Sequence, residues 1–116
     1  MPKIMLAEDD TTMISLLETL LKMEGYQVHP LDSDADIIAA VLKDKPDILL
    51  MDIHLLHQNG MDVLVKLRAT AGGNGVRVVM ASGLDFRDQC MARGANAFIQ
   101  KPYTADDLLL ALRAVA

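Results

Sequence analysis

Asp47-Ile48-Leu49-Leu50-Met51-Asp52 is the stretch that decides the fold. Its four consecutive apolar residues, bounded by Pro46 and Asp52, are too few for a helix and too apolar for a surface loop. They read as a strand buried on both faces, as in a parallel sheet sandwiched between helices. Asp52 then stands at the carboxyl end of that strand. In an open α/β sheet ligands bind outside the carboxyl ends of the strands, the one place the helices leave uncovered.

Just upstream, Ser33 or Asp34 can cap a helix carrying Ile37, Ile38, Val41 and Leu42, stopped by Pro46, which disfavours helix in the residue before it. Just downstream, the loop 53–60 leads to an amphipathic helix from about Met61, with Val63, Leu64 and Leu67 on its apolar face. The loop Gly72-Gly73-Asn74-Gly75 ends it. Those glycines precede a strand instead of opening a helix, so their amides point the wrong way to cradle a phosphate, and the loop reads as a flexible connection.

Further out, Ile4–Ala7 reads as a first buried strand stopped by Glu8-Asp9-Asp10. Asp10 or Thr11 can cap the helix that follows, with Met13, Leu16, Leu17 and Leu20 on one face and Gly25 closing it. Tyr26–Pro30 is a weaker strand, and because Pro30 cannot donate to a ladder it belongs at a sheet edge. Val76–Ala81 is a fourth strand ending on Ser82-Gly83, and Asp85 can cap a short helix through Phe86, Cys90 and Met91 to Gly94. Ala97–Ile99 is a fifth strand, ending at Lys101-Pro102. Thr104-Ala105-Asp106-Asp107 opens the last helix with acids where the helix dipole favours them, and Leu108, Ala111, Leu112 and Val115 form its stripe. Strands alternating with helices predict an α/β fold: a doubly wound five-stranded parallel sheet, helices on both faces, strand order 2-1-3-4-5.

A chain of 116 residues reads as one domain, 1–116, and 52% hydrophobic with 23% charged residues is a globular composition. The formal net charge of −5, without clustered Lys or Arg, argues against direct binding of nucleic acid. The single cysteine, Cys90, can make no internal disulfide and belongs to no metal-binding spacing, so it reads as a small buried hydrophobe in a reducing compartment. No apolar run approaches the ~20 residues of a membrane span, and Met1-Pro2-Lys3-Ile4 runs into a strand without a signal peptide. A cytoplasmic location away from the membrane is the expectation.

In the strand order 2-1-3-4-5 the neighbouring strands one, three, four and five end on Glu8-Asp9, Asp52, Ser82 and Lys101. Each taken singly has an ordinary explanation as a cap, a turn residue or a solvated charge. Their convergence describes a phosphoryl acceptor. Carboxylates about 4 Å apart repel by roughly 4 kcal/mol at an effective dielectric of ~20, so Glu8, Asp9 and Asp52 together call for a divalent cation. Oxygen-only ligands suit Mg2+. Asp52, ionised at neutral pH, can attack phosphorus without a general base. Lys101 would supply charge to a second phosphoryl oxygen and the Ser82 hydroxyl a hydrogen bond to a third. The Lys101-Pro102 bond is a candidate for the cis form, although most such bonds are trans.

On Glu8-Asp9, Asp52, Gly60, Ser82-Gly83 and Lys101-Pro102, the chain resembles a response-regulator receiver domain of two-component signalling, over Lys3 to about Val115. The resemblance implies a flavodoxin-like receiver fold that is not an enzyme in its own right. It implies phosphotransfer from a sensor histidine kinase or histidine phosphotransfer protein to Asp52, with Mg2+ held by Asp9, Asp52 and the backbone carbonyl of His54, beside Glu8. It further implies that the phosphoryl group draws Ser82 inward and that Phe98 changes rotamer with it. The switched face, formed by the fourth helix, fifth strand and fifth helix, would bind a second copy or a target, and Leu109 and Leu110 are candidates for it. No output domain is read within 1–116.

Where the family usually carries Pro, Asp and Gly after the acceptor, this chain has Leu56 and then Asn59-Gly60, keeping only the glycine, which predicts a more mobile loop. His54 and Leu84 would flank the acylphosphate. Three other readings compete. His54 and His57 with Asp52 can be drawn as a transition-metal cluster but lack a fourth ligand. A haloacid dehalogenase-like phosphatase would need an acid where His54 stands. A receiver-like interaction module that no longer takes phosphate is the stronger rival, opposed by the intact Asp9, Asp52, Ser82 and Lys101.

Overall fold

A computed structural model of the protein describes residues 2–116; Met1, at the head of the leaderless start read from the sequence, lies outside them. Strands β1 (Lys3–Ala7), β2 (Gln27–Pro30), β3 (Ile48–Asp52), β4 (Arg77–Ser82) and β5 (Ala97–Gln100) alternate with helices α1 (Thr11–Met23), α2 (Ile37–Asp44), α3 (Gly60–Ala69), α4 (Arg87–Ala92) and α5 (Ala105–Val115). Every strand pair is parallel and the order is β2-β1-β3-β4-β5, as the edge position of Pro30 predicts.

β3 is central because Ile48 to Met51 are all buried, so each face of the strand needs a helical cover. Alternation sorts the strands into two layers. Met5, Leu49, Met51, Val78, Met80 and Phe98 face Ile37 and Val41 of α2, Leu64 and Leu67 of α3 and Cys90 of α4. Ile4, Leu6, Ile48, Leu50, Val79 and Ile99 face Leu17 and Leu21 of α1 and Leu108 and Leu112 of α5.

Helix ends show where the local reading was and was not sufficient. Asp10 caps α1 by accepting from the amides of Thr12 and Met13, and Thr104 with Asp107 closes a capping box on α5. α2 begins later than predicted: Asp36, not Ser33 or Asp34, is its cap, because a turn from Asp32 O to Ala35 N intervenes. Asp85 does not cap α4. Its carboxylate accepts from Arg87 N in a local turn, and Phe86 holds the cap position without a side-chain hydrogen bond. The α1 stripe is rotated by one residue, with Leu17 and Leu21 buried and Leu16 63% exposed. On α5, Leu109 joins the core and Leu110 faces solvent.

At the end of the sheet opposite Asp52, Arg68 of α3 fastens two connections, α3 to β4 and α4 to β5. Its Nε donates to Gly94 O (2.9 Å), Nη1 to Val76 O (2.7 Å) and Nη2 to Asn96 Oδ1 (2.9 Å), which also accepts from Val78 N (2.8 Å). Nη1 further reaches Gly73 O and Asn74 O at 3.3 Å each. The glycine-rich loop is thus pinned from inside, and Gly73 serves close packing, since a Cβ there would lie 2.6 Å from Leu67 O, whereas Gly72 serves the turn with its φ of +86°. Arg68→Met should lower stability by about 2–4 kcal/mol, because hydrogen bonds to a charged donor are lost and their carbonyls are left poorly solvated. Urea unfolding measures this; a loss below about 1 kcal/mol would show that water replaces the guanidinium without penalty.

Candidate functional site

The tips of β1, β3, β4 and β5 bring together residues as much as 93 positions apart. Lys101 Nζ donates to Glu8 Oε1 at 2.7 Å and to Asp52 Oδ2 at 2.5 Å, with Lys101 24%, Glu8 7% and Asp52 11% exposed. Lys101 N donates to Ser82 O (2.8 Å), which carries the lysine past the end of β4, and the Lys101–Pro102 peptide is cis. The other carboxylate oxygens are engaged by the backbone. Asp52 Oδ1 accepts from His54 N (3.0 Å), Glu8 Oε2 from Asp9 N (3.1 Å) and Asp9 Oδ2 from Leu56 N. Asp9 therefore ties the loop after β3 back to β1.

Electrostatics follow from this burial. Burial pushes the Glu8 carboxyl above the usual carboxylate range; the Lys101 ammonium pulls it back and Asp52 adds to the rise. Burial alone would lower the Lys101 ammonium, but its hydrogen bonds to Asp52 and Glu8 outweigh that and hold it above its ordinary value. The neighbouring Tyr103 hydroxyl is pushed up to about 12, chiefly by burial. Three carboxylates against one ammonium leave the cluster short of two positive charges. Among the described residues no three His, Cys, Asp or Glu side chains stand ready as a preformed metal cage, because the ammonium draws Glu8 and Asp52 to itself. The donor chemistry, oxygen throughout with a net double negative charge, fits a hard divalent cation.

The sequence profile of the response regulator receiver domain matches residues 4–113. The chain belongs to the response regulator receiver family. It is 35% identical, over 99% of its length and 49% of the relative's, to the transcriptional regulatory protein CpxR of Klebsiella pneumoniae. The receiver thus spans about half the length of the curated relatives it matches. Its fold is that of the chemotaxis response regulator CheY4 of Vibrio cholerae, with a TM-score of 0.89 and 20% identity over 100% of this chain and 99% of that one. It is also that of the receiver domain of the sensor histidine kinase PA1611 from Pseudomonas aeruginosa, with a TM-score of 0.83 and 24% identity over 98% and 97% of the two chains. The PA1611 structure has a magnesium ion coordinated in its active-site cleft.

Around the Asp52–Lys101 pair, the receiver places Ser82 fully buried at the end of β4, with its Oγ accepting from Leu84 N at 3.1 Å. Phe98 is buried on the α4 side of the sheet, and the Arg87 guanidinium carbon lies 5.5 Å from its ring centroid. Sequence reasoning missed Arg87, since no periodicity links it to a ring on another element.

The loop after Asp52 is better secured than its departure from the family pattern predicts. Gly60 N donates to Ile53 O (2.7 Å), His54 and Asn59 form an antiparallel bridge, and Gln58 Nε2 donates to Ala35 O (2.9 Å). The histidines do not gather around Asp52. His54 lies in an aromatic contact with Phe86, centroids 6.1 Å apart, and His57 Nε2 is 3.4 Å from Asp34 Oδ1. His29 at the β2 edge pairs with Asp44 at 3.1 Å.

Proposed function

We propose that this receiver accepts a phosphoryl group on Asp52 from a sensor histidine kinase or a histidine phosphotransfer protein. The observation that carries this reading is the Lys101 ammonium bonded to Asp52 at the strand tips, with Ser82 on the adjoining strand. In the reaction a carboxylate oxygen of Asp52 forms a bond to phosphorus as the bond from phosphorus to the donor's histidine nitrogen breaks. Lys101 holds negative charge on the transferred group, and the Ser82 hydroxyl can donate to it on giving up Leu84 N. Positioning and charge do the work, since a carboxylate needs no base to become a nucleophile.

Glu8, Asp9, Asp52 and the backbone carbonyl of His54 are the residues that would hold Mg2+, as the cleft of the PA1611 receiver holds magnesium. The ion would supply the positive charge that the three carboxylates lack. Phosphorylation is read out through Ser82 and Phe98 on the face made by α4, β5 and α5, where a second copy or a target protein binds; exposed Leu110 lies on α5. The phosphorylation-independent interaction module is not favoured by the family membership. Among the described residues no helix is long and apolar enough to cross a membrane, and we place the receiver in the cytoplasm beside its kinase.

With acetyl phosphate and Mg2+, intact-mass spectrometry should show a phosphoryl adduct that Asp52→Asn loses. No adduct, together with no binding of beryllium fluoride, would sink the acceptor reading.

A further inference from the structure

At the end of the sheet opposite Asp52 lies a cavity of about 810 Å3, within the ~300–1,000 Å3 of clefts that take a small organic ligand. Its floor is apolar and comes from four segments: Val41 of α2, Ile48 of β3, Val76 just before β4 and Val115 of α5, all buried. Lys45, Asp47 and Arg77 also line it. The negative groups at this end already have partners. Asp47 Oδ2 accepts from Lys3 N (2.7 Å), Asp44 O accepts from Lys3 Nζ (3.0 Å), and the Asp44 carboxylate lies 3.1 Å from His29 Nδ1. Lys45 and Arg77 are exposed and have no carboxylate partner among the described residues. Burial, and then the nearby charge of Arg77, lower the Arg68 guanidinium from its ordinary value. Positive charge thus gathers here in a chain whose formal net charge is −5. Lys45 is moreover held at a left-handed φ of +48° at the end of α2, a place where glycine would sit without strain.

We propose that this cavity binds an amphiphilic organic anion, a carboxylate on an alkyl or aromatic body, with its head between Lys45 and Arg77 and its body over Val41, Ile48, Val76 and Val115. Burial of the apolar body supplies affinity, and the two cations select the acid. A guanidinium can take a carboxylate through two parallel hydrogen bonds, which fixes the head as well as attracting it. A neutral apolar molecule of the same shape would cover the same floor but leave both cations without a partner. A cationic one would meet Lys45 and Arg77 as like charges. The site lies at the amino end of β3, whose carboxyl end holds Asp52, and it stands whether or not Asp52 takes phosphate.

Octanoate is the probe, titrated into the full chain and followed by amide NMR. Saturable shifts should appear at Leu42, Val76 and Val115, which line the cavity, and octanol should bind about tenfold more weakly than octanoate. Arg77→Gln and Lys45→Ala should each weaken octanoate by about three- to tenfold. Asp47→Asn, which removes a negative charge from the cavity but keeps an acceptor for Lys3 N, should tighten it by about twofold. Circular dichroism checks that the variants stay folded, as the exposure of all three side chains leads us to expect. The site is overturned by the absence of saturable shifts, by shifts centred elsewhere, or by octanol binding as tightly as octanoate. It is equally overturned by Arg77→Gln and Lys45→Ala binding like the wild type, or by Asp47→Asn binding more weakly.

Discussion

Lys101→Met should lower the stability of the ligand-free receiver by about 2–3 kcal/mol near neutral pH and slow phosphorylation by a small-molecule donor by about tenfold or more. Breaking a fully buried pair from one side costs about 3–5 kcal/mol, and the partial exposure of Lys101 reduces that. The loss should depend on pH with a definite sign. Glu8 already lies above the usual carboxylate range, and Lys101 is the main influence holding it down. Without Lys101 it rises further. A group whose folded pKa is raised contributes fully only below its unfolded value and loses that contribution as pH climbs through the folded one. The deficit of Lys101→Met should therefore be larger near pH 7.5 than near pH 5, when urea unfolding is compared at the two. Mg2+ should restore part of it by supplying the missing positive charge. Equal deficits at both pH values would show that the ion pairs do not carry the stability.

Gly60→Ala should destabilise the fold by about 3 kcal/mol or more and lower Tm by roughly 10 °C. Two effects oppose each other. Alanine favours helix over glycine by about 1 kcal/mol, and Gly60 opens α3. Its Cβ, however, would press into the carbonyl oxygen of Asp52, with Ile53 Cα 2.9 Å and Asp52 C 3.1 Å away. These are backbone atoms at the end of a central strand and cannot rotate aside, so sterics win and the start of α3 must move off β3. Because the obstructed carbonyl belongs to the proposed acceptor, phosphorylation should fall even where the variant remains folded. Thermal unfolding followed by circular dichroism tests the first effect, and an unchanged Tm would show that the loop yields.

The sheet was legible because its signals are local. An apolar run ending on Asp52 and a proline at position 30 suffice to place a central strand and an edge. The four tips followed from strand order, so Asp52 and Lys101 could be paired across 49 positions of sequence. What was not legible depends on packing between elements. Asp32, Ser33, Asp34 and Asp36 can all cap a helix, and only the Asp32–Ala35 turn selects the last. The leucine-rich α1 allows two stripes, and burial of Leu17 and Leu21 chooses between them, leaving Leu16 outside. Arg68, Arg87 and Gln58 bind carbonyls or rings on distant segments and leave no periodic trace. Asp9 was read as a metal ligand, and its bond to Leu56 N gives it a second task as the anchor of the loop beyond β3.

The ion pair between Glu8 and Lys101 joins the first strand of the chain to the last, which docks at the sheet edge. On the ribosome, Asp52 is made well before Ser82 and Lys101. A growing chain that has reached β3 thus carries an ordinary aspartate with no cation or hydroxyl beside it. If Asp52 is the acceptor as proposed, competence to receive phosphate would be complete only when β5 closes the sheet and brings Lys101 to it, so an unfinished chain would be silent to a phosphodonor.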